Sequence, residues 1–174
     1  MSYLSLYTLH QDGSAKLHQR FGNAHRGAML LWSWLAQKYL PGEQLFMMMV
    51  GEDNKLWDLA TSDKVKEAHQ IVHANTFDRV AVKRENIPRL VEAMKTVVED
   101  CPDPGHLPAQ IEALEALQGN EDVMAVSWNQ TSVTRSHWDA RYDDDDNETP
   151  FNLNQSDDHW FLFDKGEIEK EVLA

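Results

Sequence analysis

Apolar and polar residues alternate along the first part of the chain. The alternation runs over Tyr3–Leu9 and over Ala15–Phe21, and an Asp-Gly pair lies between the two stretches. Such alternation is typical of half-buried strands, and Asp-Gly favours the tight turn of a β-hairpin. Leu45–Val50 and Lys55–Ala60 flank a second polar turn at 51–54. The sequence therefore predicts two hairpins.

Helical spacing of apolar residues follows each predicted hairpin. Ala24–Leu40 is apolar on most sides, so we expect a central, buried helix that ends at a Pro-Gly pair. Ser62 is placed to cap a second helix that reaches Ala74. A third helix opens at Asn86 and Pro88, and Leu107–Leu117 predicts a fourth. The third carries one continuous apolar stripe, made of Ile87, Leu90, Val91, Met94, Val97 and Val98.

The remaining apolar stretches complete the predicted fold. Phe77–Lys83, Asp122–Val133 and Asp158–Phe163 are expected to be strands, and Gly166–Ala174 a short C-terminal helix. Together the elements predict an α+β fold, with an antiparallel or mixed sheet built from hairpins and covered by about four helices. A chain of 174 residues is the right length for one compact domain, so we expect residues 1–174 to fold as a single unit.

Negative charge is concentrated in the second part of the chain. Residues 1–98 carry 12 Lys and Arg against 10 Asp and Glu, whereas residues 99–174 carry 4 against 19. The near-neutral part and the strongly acidic part together give the net charge of −13. Charge of this kind bears on partners rather than on fold, and it argues against direct binding to nucleic acid.

One stretch of the near-neutral part is basic. Its cations are expected to solvate a strand and a helix face, or to pair with the acidic part of the chain, rather than to bind phosphates. They are Arg79, Lys83, Arg84, Arg89 and Lys95.

Composition also indicates the cellular compartment. Cys101 is the only cysteine, so no internal disulfide can form, which fits a reducing environment. The N-terminus lacks the basic region of a secretory signal, and the longest apolar run, 28–36, is about half of the ~20 residues that a membrane span requires. We expect a soluble, cytoplasmic protein with no membrane association.

The acidic tract, residues 143–148, is the sharpest local feature. Asp143, Asp145 and Asn147 have the alternating spacing of oxygen ligands in a calcium loop. The central glycine of such a loop is missing, and Asn154 stands where its bidentate Glu belongs. A solvated loop and a surface recognised by a basic partner therefore remain as the two interpretations.

Histidines supply the candidate chemistry, and each has a structural alternative. His137 and His159 each precede a tryptophan, and if their strands pair, the two imidazoles and nearby aspartates form a weak candidate for a transition-metal site. The alternative is that the tryptophans pack and the histidines lie at solvated strand edges. His69 and His73 have the spacing of a zinc peptidase, but Gln70 replaces the catalytic Glu, so a boundary position is expected for His69.

No complete catalytic motif is present. Cys101 and His106 lack a third, orienting group in the sequence, and no phosphate-binding loop or nucleophile elbow is found. We therefore predict no catalytic residue and no cofactor, and the sequence leans away from an enzyme without excluding one.

The leading hypothesis is a non-enzymatic interaction or regulatory protein that binds a basic protein, in its most specific form by mimicking the charge of nucleic acid. Small acidic inhibitors carried by mobile elements act in this way. The alternatives are a metal-dependent hydrolase that uses His137 and His159, and a structural or assembly subunit of a phage or secretion particle. The predicted partner-binding residues are Asp143, Asp144, Asp145, Asp146, Glu148, Asp157, Asp158, Glu112 and Glu115.

Overall fold

A mixed, five-stranded sheet organises the molecule. The computed structural model describes residues 2–42, 55–130, 136–142, 148–156 and 159–164, and for 140–142 the backbone alone. The sheet has the strand order β2-β1-β4-β3-β7, antiparallel throughout except for the parallel pair β3 and β7, and β5 pairs with β6 in a separate small sheet. The strands are β1 (Tyr3–His10), β2 (Ala15–Gly22), β3 (Val80–Lys83), β4 (Val123–Asn129), β5 (Ala140–Tyr142), β6 (Glu148–Pro150) and β7 (Trp160–Phe161).

The first predicted hairpin is confirmed. β1 and β2 pair from Tyr3 opposite Gly22 to Leu9 opposite Ala15, and a bulge leaves His18 as an extra residue in β2. The turn contains Gly13 at φ +85°, a left-handed conformation that favours glycine. A Cβ atom there would also collide with Asn152, so the turn needs glycine for space as well.

Helices cover one face of this sheet. They are α1 (Ala28–Tyr39), α2 (Lys55–Asp58), α3 (Glu67–Ala74), α4 (Ile87–Asp100) and α5 (Leu107–Ala116). The stripe predicted for α4 is confirmed, because all of its members except the half-buried Val98 are buried against the main core. Leu4 and Leu6 of β1 and Val80 and Val82 of β3 face this helical layer. The result is an α+β fold with a mixed sheet, as predicted.

Among the described residues, a segment without α-helices covers the opposite face of the sheet. A covering segment, residues 136–142 and 148–156, places Trp138, Phe151 and Leu153 in a second, smaller core with Tyr7 and Leu9. The Trp138 indole N–H donates to the Trp128 carbonyl at 3.3 Å, and the Leu153 N–H donates to the Gly13 carbonyl at 2.8 Å. The acidic part of the chain is therefore built into the fold on both faces.

The Pro-rich connector at 101–105 is also attached to the rest of the molecule. The carboxylate of Asp103 accepts from the Arg26 guanidinium at 2.7 Å, and the His106 N–H donates to the Arg26 carbonyl at 2.9 Å. Gly105 adopts φ +60°, and a Cβ atom there would collide with the same carbonyl oxygen. β4, which follows the connector, pairs with β1 and β3 from the near-neutral part.

The second predicted hairpin is wrong. Lys55–Asp58 is one helical turn, and Leu56, Leu59 and Ala60 are buried at the i, i+3, i+4 spacing of a helix. A run this short is compatible with the spacing of a strand and with that of a helix. Burial of these side chains in the main core favours the helix. The other predicted strand, 45–50, lies outside the described residues, as does the predicted helix at 166–174.

The first predicted helix is both shorter and less central than expected. Residues 24–26 form a 3₁₀ turn, and α1 begins only after Gly27. α1 buries Ala28, Leu31, Leu35 and Ala36, whereas its tryptophans are half-buried against the core, so one face alone packs on the sheet.

Other elements are shorter than the sequence patterns suggest. α3 begins at Glu67 rather than at Ser62, and β3 begins at Val80 rather than at Phe77. β4 ends at Asn129, and β7 has two residues instead of the predicted six. Among the described helices, none has the length and apolar character that crossing a bilayer demands.

Candidate functional site

The acidic tract joins two strands whose positions are well defined. Tyr142 of β5 lies opposite Glu148 of β6, and Ala140 lies opposite Pro150. Just outside these strands, the buried rings of Trp138 and Phe151 contact each other with centroids 4.9 Å apart. Asp143, Asp144, Asp145 and Asp146 lie outside the described residues, whereas Glu148 is exposed on β6. Both ends of the tract are thus anchored to the second core.

The other predicted partner-binding residues have different surroundings. Glu112 is exposed on α5 and has no ion pair in the described part of the chain. Glu115, one turn later, accepts from the Lys95 ammonium at 3.0 Å, so its charge is partly compensated by a cation that Glu92 shares. Asp157 and Asp158 lie outside the described residues.

Most of the basic stretch is engaged within the molecule. Lys83 pairs with Asp164 at 2.9 Å and Arg89 with Glu67 at 2.8 Å, while Lys95 holds Glu92 as well as Glu115. The Arg84 guanidinium donates to the Glu121 carbonyl at 3.1 Å. The expected pairing with the acidic part of the chain is confirmed for Lys83 and Lys95.

Acidic charge remains after this pairing. The described residues contain 13 Lys and Arg against 17 Asp and Glu, a net charge of −4. Five exposed carboxylates of the acidic part make no ion pair with other described residues: those of Glu99, Glu112, Glu121, Asp122 and Asp139. The other nine excess negative charges belong to residues outside the described ranges.

The strand pairing behind the predicted metal site is wrong. Residues 137–139 form a turn, and β7 pairs with β3, so Trp138 and Trp160 lie in the two cores on opposite faces of the sheet. The His137 ring packs against Trp138 and Phe151, and His159 lies 3.4 Å from the Ser156 hydroxyl. Within the described ranges, no three His, Cys, Asp or Glu residues are grouped to hold a metal ion.

His69 lies at the centre of a hydrogen-bonded chain that connects three helices. Its Nε2 is 2.8 Å from a carboxylate oxygen of Asp100 at the end of α4, and its Nδ1 is 2.7 Å from the Tyr39 hydroxyl at the end of α1. Lys66 contributes an ammonium 2.8 Å from Asp100. His69 is fully buried, not at a boundary as the sequence suggested. We call Tyr39, His69 and Asp100 the relay.

The protonation states of the relay follow from its charges. The Lys66 ammonium and the His69 ring hold the pKa of Asp100 below its usual range, so Asp100 is a carboxylate at neutral pH. A carboxylate accepts, so His69 Nε2 carries the proton. Burial lowers the pKa of His69 despite the opposing effect of Asp100, so the ring is neutral. Nδ1 is then unprotonated and accepts the O–H of Tyr39.

His73, one turn further along α3, is structural. Its Nε2–H donates to the Leu56 carbonyl at 2.8 Å, and its ring stacks on Trp57 with centroids 5.9 Å apart. Complete burial lowers the pKa of His73 to about 4. The two α3 histidines therefore have separate partners.

Cys101 and His106 also have separate partners. The Cys101 thiol donates to the Asp103 carbonyl at 3.3 Å, and burial raises its pKa, so it is not a ready thiolate. The His106 Nε2 lies 3.0 Å from the Asn23 carbonyl. Each of the two side chains is therefore engaged with a backbone carbonyl.

A cleft of about 370 Å³ opens where β3 and β4 meet the covering segment. Lys83 and Arg84 line its rim, and Met124, Leu153 and Phe161 form its apolar wall. This volume falls within the range of small-molecule sites. Both cations are already satisfied, by Asp164 and by the Glu121 carbonyl, so the cleft offers no unpaired charge from them.

Comparisons with protein-family models, with curated proteins and with solved structures found no match. Function therefore has to be argued from the residues themselves. The relay is the constellation that sequence analysis missed, because its members are 30 and 31 residues apart and form no local motif. The sequence feature that pointed towards the relay was His69, a histidine among the apolar positions of α3.

Proposed function

We propose that this protein is a non-enzymatic interaction protein whose acidic part binds a basic surface on another protein. In its most specific form, it competes with nucleic acid for that surface. The observation that carries the proposal is the charge segregation, a net −15 over residues 99–174 against +2 over residues 1–98. DNA carries one negative charge per ~1.7 Å of its axis, so a competitor needs closely spaced carboxylates.

The anchoring of the acidic tract supports this proposal. β5 and β6 hold its two ends in register, and the Trp138–Phe151 contact ties both strands to the second core. Fixing the ends reduces the conformational entropy that the tract would lose on binding, and this loss is a major cost of association.

The pairing of the described cations also supports it. Lys66, Lys83 and Lys95 already have carboxylate partners, and so do Arg26 and Arg89. Four of these cations pair with carboxylates of the acidic part that lie outside the acidic tract, and Arg89 pairs with Glu67. Long-range attraction between such a surface and a basic partner speeds association and weakens as salt is added.

The test compares two variants of equal net charge. In the tract variant, Asp143, Asp144, Asp145 and Asp146 are all changed to Asn. In the control variant, four exposed carboxylates of the near-neutral part are changed to their amides: Asp58, Asp63, Asp78 and Glu85. Each tagged protein is used to capture partners from a nuclease-treated lysate at low and at high salt.

The proposal predicts a nucleic-acid-handling protein that is captured by the wild type and the control variant at low salt. High salt or the tract variant should abolish its capture, and added duplex DNA should displace it. Capture that survives high salt and the tract variant would contradict the proposal and would indicate assembly through apolar surface instead. Bound zinc, manganese or iron in the purified protein would favour the hydrolase alternative.

A further inference from the structure

The relay has the arrangement of an activated nucleophile. In serine hydrolases, a hydroxyl donates to an imidazole, and a carboxylate fixes the tautomer of that imidazole from the other side. Here the Tyr39 hydroxyl takes the first place, at 2.7 Å from His69, and Asp100 takes the third, at 2.8 Å. Both distances fall within the 2.6–3.2 Å range that characterises a nucleophile, its base and the orienting group.

We propose that Tyr39 is a reactive hydroxyl that accepts an acyl group from an activated carbonyl compound, with His69 as the general base and Asp100 as its positioning residue. This inference can fail separately from the proposed function, because none of the three side chains belongs to the acidic tract that the tract variant changes.

The surroundings of the relay fit this role. His69 is shielded from water and packs edge-on against Trp34, with ring centroids 4.8 Å apart, so its lone pair is reserved for Tyr39. Tyr39 is half-buried, and the Asp100 side chain is 32% exposed, so both ends of the relay reach the surface. His69 is thus excluded from solvent, whereas part of the Tyr39 side chain is exposed.

Lys66 adds a donor at the reacting oxygen. Its backbone N–H donates to the Tyr39 oxygen at 3.4 Å. A donor at this place stabilises the phenolate that forms as the hydroxyl proton passes to His69. The ammonium of the same residue holds Asp100 as a carboxylate, which keeps His69 in the required tautomer.

The reaction balances without a further reactant. The Tyr39 oxygen attacks the carbonyl carbon of the donor and forms a C–O bond, while its proton passes to His69 Nδ1. The bond between the carbonyl carbon and the leaving group then breaks. The leaving group takes the proton from His69, which returns to its neutral form, and Tyr39 carries the acyl ester.

The test uses N-acetylimidazole, an acyl donor whose leaving group is imidazole. The full-length protein is treated at neutral pH, and the rate of acetylation of each tyrosine is followed by peptide mass spectrometry. Tyr3, which is also half-buried, and the buried Tyr7, whose hydroxyl donates to Asp139, serve as references within the same molecule.

Two substitutions distinguish an effect on the relay from an effect on the stability of the fold. Asp100→Asn removes the charge that sets the His69 tautomer. Asp103→Asn, the control, removes a nearby carboxylate that pairs with Arg26 and has no contact with the relay. Near-UV circular dichroism and the unfolding midpoint of each variant report whether the fold is intact.

The proposal predicts that Tyr39 is acetylated faster than Tyr3 and Tyr7 in the wild type and in Asp103→Asn. In Asp100→Asn the rate at Tyr39 should fall by roughly 10²-fold, the lower end of what a general base contributes. Equal rates at Tyr39 and Tyr3, an unmodified Tyr39, or an unchanged rate in a folded Asp100→Asn variant would each overturn it. If Asp100→Asn does not fold, the comparison of Tyr39 with Tyr3 in the wild type decides.

Discussion

At the scale of single residues, buried histidines determine how this protein responds to acid. His73 is fully buried among aromatic rings and uses one nitrogen to donate to Leu56, while its Nδ1 has no hydrogen-bond partner among the described residues. Proton uptake would place a charge in an apolar site, so the folded protein binds that proton less readily than the unfolded chain does. The stability of the fold therefore depends on pH in the range where His73 titrates.

The sign and size of this dependence follow from the pKa. The value falls from about 6.5 in the unfolded chain to about 4 in the folded protein. The unfolded state thus binds more protons between these two values, and stability is lost as pH falls from about 6.5 to about 4. The loss attributable to His73 is about 3 kcal/mol.

Urea unfolding at several pH values measures the effect. Wild type and His73→Phe are compared between neutral pH and pH 4, and we expect a much shallower loss of stability in the variant. The difference between the two profiles isolates His73, because the other groups with lowered pKa values, His69, Asp12, Asp100 and Asp103, are present in both proteins. Parallel profiles for the two proteins would show that His73 does not titrate as its burial implies.

At the scale of elements, Trp138 and Phe151 hold the covering segment on the sheet. Truncation of a buried tryptophan removes a large apolar contact area and typically costs about 3–5 kcal/mol. We therefore expect Trp138→Ala to lower the unfolding midpoint strongly and to make the covering segment sensitive to limited proteolysis. Trp34→Ala is the matched control, because Trp34 is half-buried on α1 and belongs to the other layer.

The outcome for these two variants distinguishes the layers. Cleavage near the covering segment in Trp138→Ala, but not in Trp34→Ala, is expected. Similar stability and similar protease resistance in Trp138→Ala and the wild type would contradict the assignment of a second core.

The edge strand β2 is protected from pairing with other chains. Lys16 and Arg20 are exposed on it, and the bulge at His18 interrupts its regular ladder. Cations and bulges at sheet edges are the usual defences against edge-to-edge association. The double variant Lys16→Val, Arg20→Val should therefore aggregate more readily than the wild type at neutral pH, as light scattering would detect.

A charge-matched control tests whether position matters. Lys38 and Lys64 are exposed cations away from the edge strand, and changing both to Val removes the same charge. Equal aggregation of the two double variants would indicate a general effect of net charge rather than protection of the edge.

The elements also show which parts of the fold can be predicted from sequence. The β1–β2 hairpin and α4 follow from local patterns, because an Asp-Gly turn and an uninterrupted apolar stripe each specify one structure. α2 is too short for its period to be decisive, and β7 is a strand only because β3 lies beside it. Local sequence carries no information about such distant partners.

At the scale of the whole molecule, charge and relay differ in how far sequence can predict them. The charge segregation is a sum over residues, so it is visible before any fold is known. The relay depends on Tyr39, His69 and Asp100 arriving from three helices at one point, which only the packing of those helices determines. The same dependence on packing explains why His137 and His159 lie in different environments, the first against Phe151 and the second against Phe161.

The central claim is that an acidic surface selects the partner, and salt tests it most directly. The dissociation constant of the captured partner is measured over a range of salt concentrations for the wild type, the tract variant and the control variant. We predict steep weakening with salt for the wild type and the control variant, and weak, nearly salt-independent binding for the tract variant. The same affinity for all three proteins at low and high salt would contradict the account.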